Sequence, residues 1–421
     1  VLGGSPYYAA AGIVLLAVAW LMARGRALAV LLYGGLLAVT VPWAWYESGL
    51  DFLAVLPRLA AWLGLGLWFL TPWYRRTLAD AELADTRWFA WPAGAAVLLL
   101  VVAGFSGYDV YQGTDRGQLS DAATADWRHY GNTPGGTRFG ELSQINSDNA
   151  GELTDLWRFR TGVEDDFKMT PLQVGDLLYI CTARNVMIAL DASSGEEVWR
   201  HDPGAVPPAS HGYARTCRNL AYHEAPTSYS GDCPKRIVTG TVDARLIAVD
   251  ALSGARCESF GQGGEVDLRR GLGIEQPDDY YLTSSPTVAG DRLVVGGTVN
   301  DIQKLGMPSG VVRAFDAISG EFAWAWDAGR PGQYEEPSEG EIYTPGTPNV
   351  WTIMSYDPEL DLVFAPTGNA GPDFWGGARR AIDDEWSSAL VALDGQTGEP
   401  RWKYQTVHHD IWDYDLPAQP V

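Results

Sequence analysis

Long apolar stretches separated by short polar connections occupy the first quarter of the chain. Four of them, at 7–21, 28–45, 52–70 and 88–103, approach the length that a helix needs to cross a bilayer, although Pro57 and Arg58 interrupt the third. After Gly107 the pattern changes to short apolar runs separated by turn residues, which is typical of β-strands. The pattern predicts a transmembrane helical domain over 1–107, a polar linker over 108–125 and an all-β domain over 126–421.

The arginines of the first region predict its orientation. They cluster in the connections at 24–26 and 75–76, whereas acidic residues occupy the connection at 47–51. By the positive-inside rule the arginine connections are cytoplasmic, and everything after Gly107 lies on the outer side. Since Val1 would then also lie outside, we expect a further crossing helix before it. Four apolar stretches cannot all be cleaved leader sequences.

A repeated motif dominates the β-rich region. Each unit is an apolar strand, an Asp-x-x-(Ser/Thr)-Gly turn and a second strand that opens on an aromatic residue. The Asp can bond its own backbone and the Gly supplies a positive φ, so the motif predicts a hairpin. A partial unit stands at 151–157. The four clear units carry Asp191, Asp250, Asp316 and Asp394 in the turn, and three continue to Trp199, Trp324 and Trp402.

The spacing of the units predicts the architecture. Successive repeat aspartates are 59, 66 and 78 residues apart, which suits four-stranded blades with inserted loops better than solenoid repeats. We therefore expect a β-propeller with about five blades present, and we expect the Trp that follows the turn in three of the units to pack between neighbouring sheets. Because five blades would leave an open sheet edge, we expect further blades after Val421.

The net charge of the chain argues against some classes of binding partner. The formal net charge is −22, and almost all of it lies after residue 107. Such an acidic domain repels nucleic acid and anionic headgroups, so we expect no nucleic-acid partner. No glycine-rich phosphate loop follows a strand, and no cysteine spacing suggests zinc or haem.

Candidate chemistry is concentrated near the end of the chain. The segment 408–415 holds two histidines and three aspartates directly after a strand-like run at 401–407. Active sites often collect at strand ends, which favours a catalytic role for this segment. The alternative is that these are polar loop residues that cap a strand.

Several motifs occur in a fixed order: the apolar helices, Asp-Trp-Arg-His-Tyr-Gly-Asn at 126–132, the turn repeats, Cys-Arg-Asn-Leu-Ala-Tyr-His-Glu at 217–224, and Tyr-Gln-Thr-Val-His-His-Asp-Ile-Trp-Asp at 404–413. Together they resemble the membrane-bound quinoprotein glucose dehydrogenases, whose eight-bladed propeller binds pyrroloquinoline quinone (PQQ). The resemblance implies that one membrane helix and about three blades are missing from this chain.

The resemblance also implies residue roles. Asp413 matches the catalytic base, which lies beside the metal. Asn369 matches a ligand of Ca²⁺ or Mg²⁺, cations that prefer oxygen ligands, and we expect Asp301 rather than Asn300 as a further ligand. Asp410, Asp415 and the neighbouring histidines would be supporting groups.

The remaining matches concern the cofactor. Trp351 matches the Trp on which the quinone ring stacks, and Arg218 matches an Arg that binds a cofactor carboxylate. Thr283 and Thr298 match hydroxyl contacts to PQQ. The chain departs from glucose dehydrogenases at Ala214, where they carry a His, and from methanol dehydrogenases at 212–213, where they carry paired Cys. We expect His211 or Tyr213 to substitute.

The implied function is oxidation of an aldose, D-glucose to gluconolactone, with PQQ and transfer of the electrons to ubiquinone. The protein would be a multi-pass protein of the bacterial inner membrane, with lipid as a partner and the propeller in the periplasm. Two alternatives remain open: oxidation of quinate or another polyol by the same chemistry, and a non-catalytic, membrane-tethered propeller scaffold.

All four cysteines lie on the outer side in this topology, where disulfides persist. We expect one bridge, Cys217 to Cys233, which would hold the loop that carries Arg218. Buried free thiols are the alternative.

Overall fold

The computed structural model describes residues 6–48, 52–76, 87–112, 126–140, 142–206, 216–300 and 304–421. The chain divides into two compact units, Val1–Ser120 and Asp121–Val421. Helices form the described part of the first unit, and β-strands are the main regular structure in the described part of the second.

The described part of the first unit contains five α-helices. They are α1 (Pro6–Ala23), α2 (Leu28–Ser48), α3 (Phe52–Gly66), α4 (Pro72–Arg76) and α5 (Arg87–Gln112), with a 3₁₀ turn at Leu67–Leu70. The described part of every predicted apolar stretch is thus helical. Among the described residues one segment, Leu28–Tyr46 of α2, is long and apolar enough to span a bilayer, and the apolar segments of α1, α3 and α5 are shorter. That all four cross a membrane stays a prediction.

These helices pack around a shared core and also present apolar side chains outward. Val30, Leu37 and Leu59 are buried between helices. In contrast, Ile13 and Leu16 of α1 are at least 70 % exposed. Exposed apolar side chains are unfavourable in water, so such a surface is typical of contact with lipid or with another protein.

Among its described residues, the second unit contains four antiparallel four-stranded sheets. The first consists of β1 (Leu172–Val174), β2 (Leu177–Cys181), β3 (Met187–Asp191) and β4 (Glu197–His201). The second consists of β5 (Ala221–Glu224), β6 (Lys235–Gly240), β7 (Arg245–Asp250) and β8 (Glu265–Asp267). A separate two-stranded sheet pairs β9 (Tyr280–Tyr281) with β12 (Thr298–Val299).

The third sheet consists of β10 (Thr287–Ala289), β11 (Arg292–Val295), β13 (Val312–Asp316) and β14 (Phe322–Trp326). The fourth consists of β15 (Ser355–Asp357), β16 (Leu362–Pro366), β17 (Ala389–Asp394) and β18 (Pro400–Gln405), with the short α6 (Ala381–Trp386) before β17. The partial unit at 151–157 contains a 3₁₀ turn, Ala150–Glu152, and no strand within the part of the chain that the structure describes.

Each sheet packs face to face on the next one along the chain. Met187 of the first sheet and Ile247 of the second belong to one apolar core. Val238 and Leu293 belong to a core between the second and third sheets. A further core, formed by side chains such as Val312 and Val391, joins the third sheet to the fourth. This serial packing of four-stranded sheets is the arrangement of propeller blades.

The repeated turn forms as the sequence predicts. In the first unit, Asp191 Oδ1 accepts hydrogen bonds from the backbone N–H of Ser193 and Ser194 at 3.0 and 2.8 Å. Gly195 closes the turn with φ of 72°. The turns at Asp250, Asp316 and Asp394 bond their backbones in the same way. The hairpins are therefore determined locally, by Asp hydrogen bonding and glycine conformation.

The Trp after the turn joins one sheet to the next. Trp324 stands opposite the small Ala314, its ring lies against Gly398 of the fourth sheet, and its Nε1 donates to the Gly395 carbonyl at 3.0 Å. Trp199 lies against Gly254 in the same manner. These contacts confirm the prediction for Trp199 and Trp324, whereas Trp402 of the fourth sheet is 46 % exposed.

Gly398 offers a direct test of this contact. Its φ is 73°, and an added Cβ would come within 2.3 Å of the Trp324 ring. We expect Gly398→Ala to lower the free energy of unfolding by about 3 kcal/mol, the sum of left-handed backbone strain and overpacking. Gly162 has the same φ with no atom within 4 Å. Gly162→Ala should therefore lower the free energy of unfolding through backbone strain alone, by about 1 kcal/mol. Urea unfolding of the two variants would contradict this account if their losses were equal.

Candidate active site

Loops from distant parts of the second unit enclose a cavity of about 300 Å³. Arg218 precedes β5, Trp351 precedes β15, and Asp413 follows β18, yet all three line this one cavity. The other lining residues are Lys168, Tyr281, Thr283, Thr298, Val299, Asn349 and Asp415. The fold thus brings together side chains that are widely separated in sequence.

Asp415 joins two of the predicted site residues. Its Oδ2 accepts a hydrogen bond from Trp351 Nε1, and its Oδ1 accepts one from the backbone N–H of Asn369, both at 2.6 Å. An added Cβ on the preceding Gly368 would come within 2.7 Å of this carboxylate, so the close approach needs a glycine there. Because both oxygens are occupied, Asp415 sets the orientation of the indole relative to the Asn369 backbone.

Asn369 is itself buried, with 1 % of its surface exposed. Its Nδ2 donates to the backbone carbonyl of Asp373 at 3.1 Å, and its Oδ1 accepts from the Ala370 N–H at 3.0 Å. The amide orientation is therefore determined by the chain around it. An amide oxygen has two lone pairs, and the second can serve a cation.

Several carboxylates are crowded together in this region. Burial, and then the negative charges of Asp415 and Asp410, raise the pKa of Asp413 to about 6. Burial, and then the charges of Asp413 and Asp415, raise the pKa of Asp373 to about 7. Neither carboxylate oxygen of Asp373 has a hydrogen-bond partner among the described residues. Crowded, poorly solvated carboxylates are unfavourable unless a cation compensates them.

The buried positive charge of Arg218 has the opposite requirement, which is an anionic partner. Burial lowers the pKa of the Arg218 guanidinium. Its Nη1 is buried without a hydrogen-bond partner in the described part of the chain, and its Cζ lies 4.9 Å from the centre of the Trp351 ring. A buried guanidinium that lacks an acceptor can bind an anionic group.

The position of Trp351 is held from its backbone as well. Thr283 Oγ1 and Ser284 Oγ donate hydrogen bonds to the Trp351 carbonyl at 3.2 and 3.0 Å. Thr283 Oγ1 also lies 3.2 Å from Thr298 Oγ1. The cavity therefore combines a fixed aromatic face, two hydroxyls, a cation and a carboxylate.

Comparison with known families identifies this constellation. Residues 127–421 match the family model described as "PQQ: Glucose/ethanol/alcohol dehydrogenase, beta-propeller domain". The chain belongs to the PQQ-dependent dehydrogenases. The predicted resemblance and the propeller fold are both confirmed by this match.

Individual relatives agree with the family. The chain is 38 % identical over 441 residues to the quinoprotein glucose dehydrogenase of Escherichia coli, a match that covers 98 % of this chain and 54 % of that protein. It is 36 % identical over 456 residues to the quinate/shikimate dehydrogenase (quinone) of Acinetobacter baylyi, covering 100 % and 55 %. The chain therefore spans about half the length of these curated relatives.

Solved structures show the same fold. The quinohemoprotein alcohol dehydrogenase of Comamonas testosteroni superposes with a TM-score of 0.57 and 25 % identity, over 71 % of this chain and 43 % of that one. A europium-containing methanol dehydrogenase matches with a TM-score of 0.53 and 26 % identity, over 69 % and 50 %.

The residues present in this PQQ-dependent dehydrogenase fit the cofactor. PQQ is a flat quinone with three carboxylates, and the cavity offers an indole face, hydroxyl groups and a guanidinium without an acceptor. For the metal, the described residues hold no group of three His, Cys, Asp or Glu side chains arranged as ligands. A Ca²⁺ or Mg²⁺ ion would therefore depend on amide and other oxygens besides Asp413, and this part of the site stays a prediction.

The predicted site residues of this family member divide into two groups. Arg218, Thr283, Thr298, Trp351 and Asp413 line one cavity, and Asn369 is linked to it through its backbone bond to Asp415. The predicted cofactor contact His211 and the predicted metal ligand Asp301 lie outside the described residues.

Sequence reasoning overlooked five residues of this site: Lys168, Tyr281, Val299, Asn349 and Asp373. Asn349 stands two positions before Trp351, and Asp373 stands four after Asn369, so proximity to a predicted site residue was an available signal. Lys168 belongs to no motif. Its segment is tied to that of Arg218 by a hydrogen bond from the Thr170 N–H to the Arg218 carbonyl, a contact between residues far apart in the sequence.

The predicted cysteine pairing is wrong. Two disulfides form, Cys181–Cys217 and Cys233–Cys257, with Cα atoms 6.0 and 5.7 Å apart. Cys181 and Cys217 belong to the core between the first and second sheets. Cys233 and Cys257 belong to the core on the other face of the second sheet. Cys217 and Cys233 therefore belong to cores on opposite faces of the second sheet and do not pair with each other.

Removal of one disulfide can be compared directly with removal of the other. We expect replacement of either cysteine pair by alanine to cost about 3 kcal/mol of unfolding free energy through the lost loop constraint. Only loss of Cys181–Cys217 should also weaken PQQ binding, because Arg218 directly follows Cys217. Urea unfolding and PQQ titration of both double variants would check this. An equal loss of PQQ affinity in the two would show that the effect is general destabilisation.

Proposed function

We propose that this chain is part of a membrane-bound PQQ-dependent dehydrogenase that oxidises an aldose, D-glucose to gluconolactone. The observation that carries the proposal is the single cavity lined by the Trp351 indole, the Arg218 guanidinium and the Asp413 carboxylate. A non-catalytic propeller scaffold would not require an indole whose position is held by two hydroxyls and a carboxylate. The non-catalytic alternative is therefore disfavoured.

Asp413 is the proposed base. Oxidation of an alcohol to a carbonyl removes two electrons and two protons, and a carboxylate in the cavity can accept the hydroxyl proton. With a pKa of about 6, Asp413 is mostly a carboxylate at neutral pH, which is the form that accepts a proton. Bound PQQ would supply the two-electron acceptor.

The other residues bind and orient. Trp351 provides a flat face whose position is held by Asp415 and Thr283. Arg218 would bind a carboxylate of PQQ, since its Nη1 has no other acceptor among the described residues. Asn369 and Asp413 would contribute oxygens to a Ca²⁺ or Mg²⁺ ion, which would compensate the crowded carboxylates.

The helical unit supports a membrane location, where a quinone dissolved in the bilayer could accept the electrons. One helix of suitable length and the exposed apolar residues of α1 support insertion in a bilayer. We propose a multi-pass inner-membrane location with the propeller in the periplasm, and ubiquinone as the electron acceptor.

Quinate is a second candidate substrate, because the chain is almost as similar to a quinate/shikimate dehydrogenase as to a glucose dehydrogenase.

The test uses the full-length protein in membranes. PQQ and Ca²⁺ are added, and reduction of a dye is followed with glucose, with quinate and with a panel of other polyols. We expect PQQ-dependent turnover with at least one of the two named substrates. A protein that binds PQQ but oxidises none of them would refute the substrate assignment, and one that binds no PQQ would refute the proposed function.

A further inference from the structure

The cavity contains a second cation, Lys168, which none of the matched motifs includes. Its side chain lines the cavity and is also 54 % exposed, so it reaches from solvent into the site. The ammonium group makes one ion pair, to Asp166 at 3.5 Å, among the described residues. That partner is itself about half exposed, and such pairs contribute little to stability.

The backbone holds Lys168 close to Arg218. The next residue, Met169, packs against two apolar cores, which anchors the segment. The N–H of Thr170 donates to the Arg218 carbonyl at 2.9 Å. The two cations are thus carried by hydrogen-bonded neighbouring segments, and both side chains line the same cavity.

Electrostatics indicates what these cations bind. The chain carries a net charge of −22, and four of its residues are lysines, so a lysine beside an arginine in one cavity is unusual for this composition. Arg218 has a buried nitrogen without an acceptor among the described residues, and Lys168 has only a weak, exposed partner. Two neighbouring cations of this kind favour a ligand with at least one carboxylate.

We propose that Lys168 is a carboxylate-binding residue of this site and a determinant of what the cavity accepts. This inference rests on the proposed function, since it takes the cavity to be the PQQ site. Two ligands could supply the carboxylate: PQQ itself, or a substrate that is a hydroxy acid, such as quinate. A neutral sugar would make no use of the charge.

The experiment compares Lys168→Met and Lys168→Glu with Lys235→Met in the full-length protein. Lys235 is a matched control, because it is 43 % exposed, pairs with Glu224 at 3.6 Å and does not line the cavity. Two quantities are measured for each variant: the Kd of PQQ for the apo-protein, from quenching of tryptophan fluorescence, and the KM values for quinate and glucose.

If Lys168 binds a cofactor carboxylate, we expect the Kd of PQQ to rise about tenfold in Lys168→Met and further in Lys168→Glu, with a smaller difference at high salt. If it binds a substrate carboxylate, the Kd stays unchanged and the KM for quinate rises about tenfold while that for glucose does not. Either result supports the proposal and names the source.

The proposal is overturned if both Lys168 variants match Lys235→Met in every one of these constants. A wild-type protein that binds no PQQ at all would instead overturn the proposed function, and this assignment with it. The two failures are distinguishable, because the first is seen in a protein that binds its cofactor.

Discussion

Asp413→Asn should reduce turnover about a thousandfold, the usual size of a lost general base, while PQQ binds within a few-fold of its normal affinity. Asparagine has the shape of aspartate but cannot accept the hydroxyl proton. The substitution is also mild for the backbone, because Asp413 has φ of 64°, a region that asparagine tolerates well. Dye reduction by the full-length protein at saturating PQQ and substrate measures the loss.

A matched control separates chemistry from folding. Asp327 is a buried aspartate that accepts backbone hydrogen bonds from Gly329 and Thr344 at 2.9 and 2.7 Å, and it does not line the cavity. Asp327→Asn should lower stability and leave the activity of the folded protein unchanged. Turnover by Asp413→Asn within tenfold of wild type would show that Asp413 is not the base.

Asp415→Asn should have the second largest effect. Aspartate satisfies both the Trp351 indole N–H and the Asn369 backbone N–H, whereas an asparagine has one oxygen and must turn its amino group toward one of these donors. A buried donor left without an acceptor costs about 1–3 kcal/mol. If the indole face is misplaced by this change, the Kd of PQQ should rise by roughly 10- to 100-fold.

The readout distinguishes positioning from general damage. Asp327→Asn again loses a bond to a backbone N–H and should reduce the unfolding free energy to a similar extent, but its Kd for PQQ should stay normal. Asp415→Asn is expected to change both quantities. An unchanged PQQ affinity in Asp415→Asn would mean that the carboxylate supports the loop without positioning the indole.

Local features of this protein could be predicted from sequence alone. The repeat hairpins depend on an Asp that bonds its own turn and on a Gly at positive φ, as at Asp191 and Gly195. The helices follow from long apolar stretches, and the repeat Trp follows its turn at a constant distance. Each of these signals involves residues within one short segment, so no knowledge of the tertiary fold is required.

The site was predicted for a different reason. Trp351, Arg218 and Asp413 belong to motifs that resemble those of a known family, and the cavity brings all three together. Physical reasoning on the sequence alone could not have placed them at one point, because they lie on loops of different blades.

Other features were decided by the tertiary structure alone. Which cysteines pair depends on which face of the second sheet each one occupies, and that placed Cys217 with Cys181 rather than with Cys233. The bridge made by Asp415 joins loops that flank the strands of the fourth sheet, and Lys168 reaches the cavity on a segment that is hydrogen-bonded to the segment of Arg218. The sequence thus determined turns, helices and repeats, whose interactions are local. The stacking of the blades determined the pairings and the cavity, whose interactions join residues far apart in the chain.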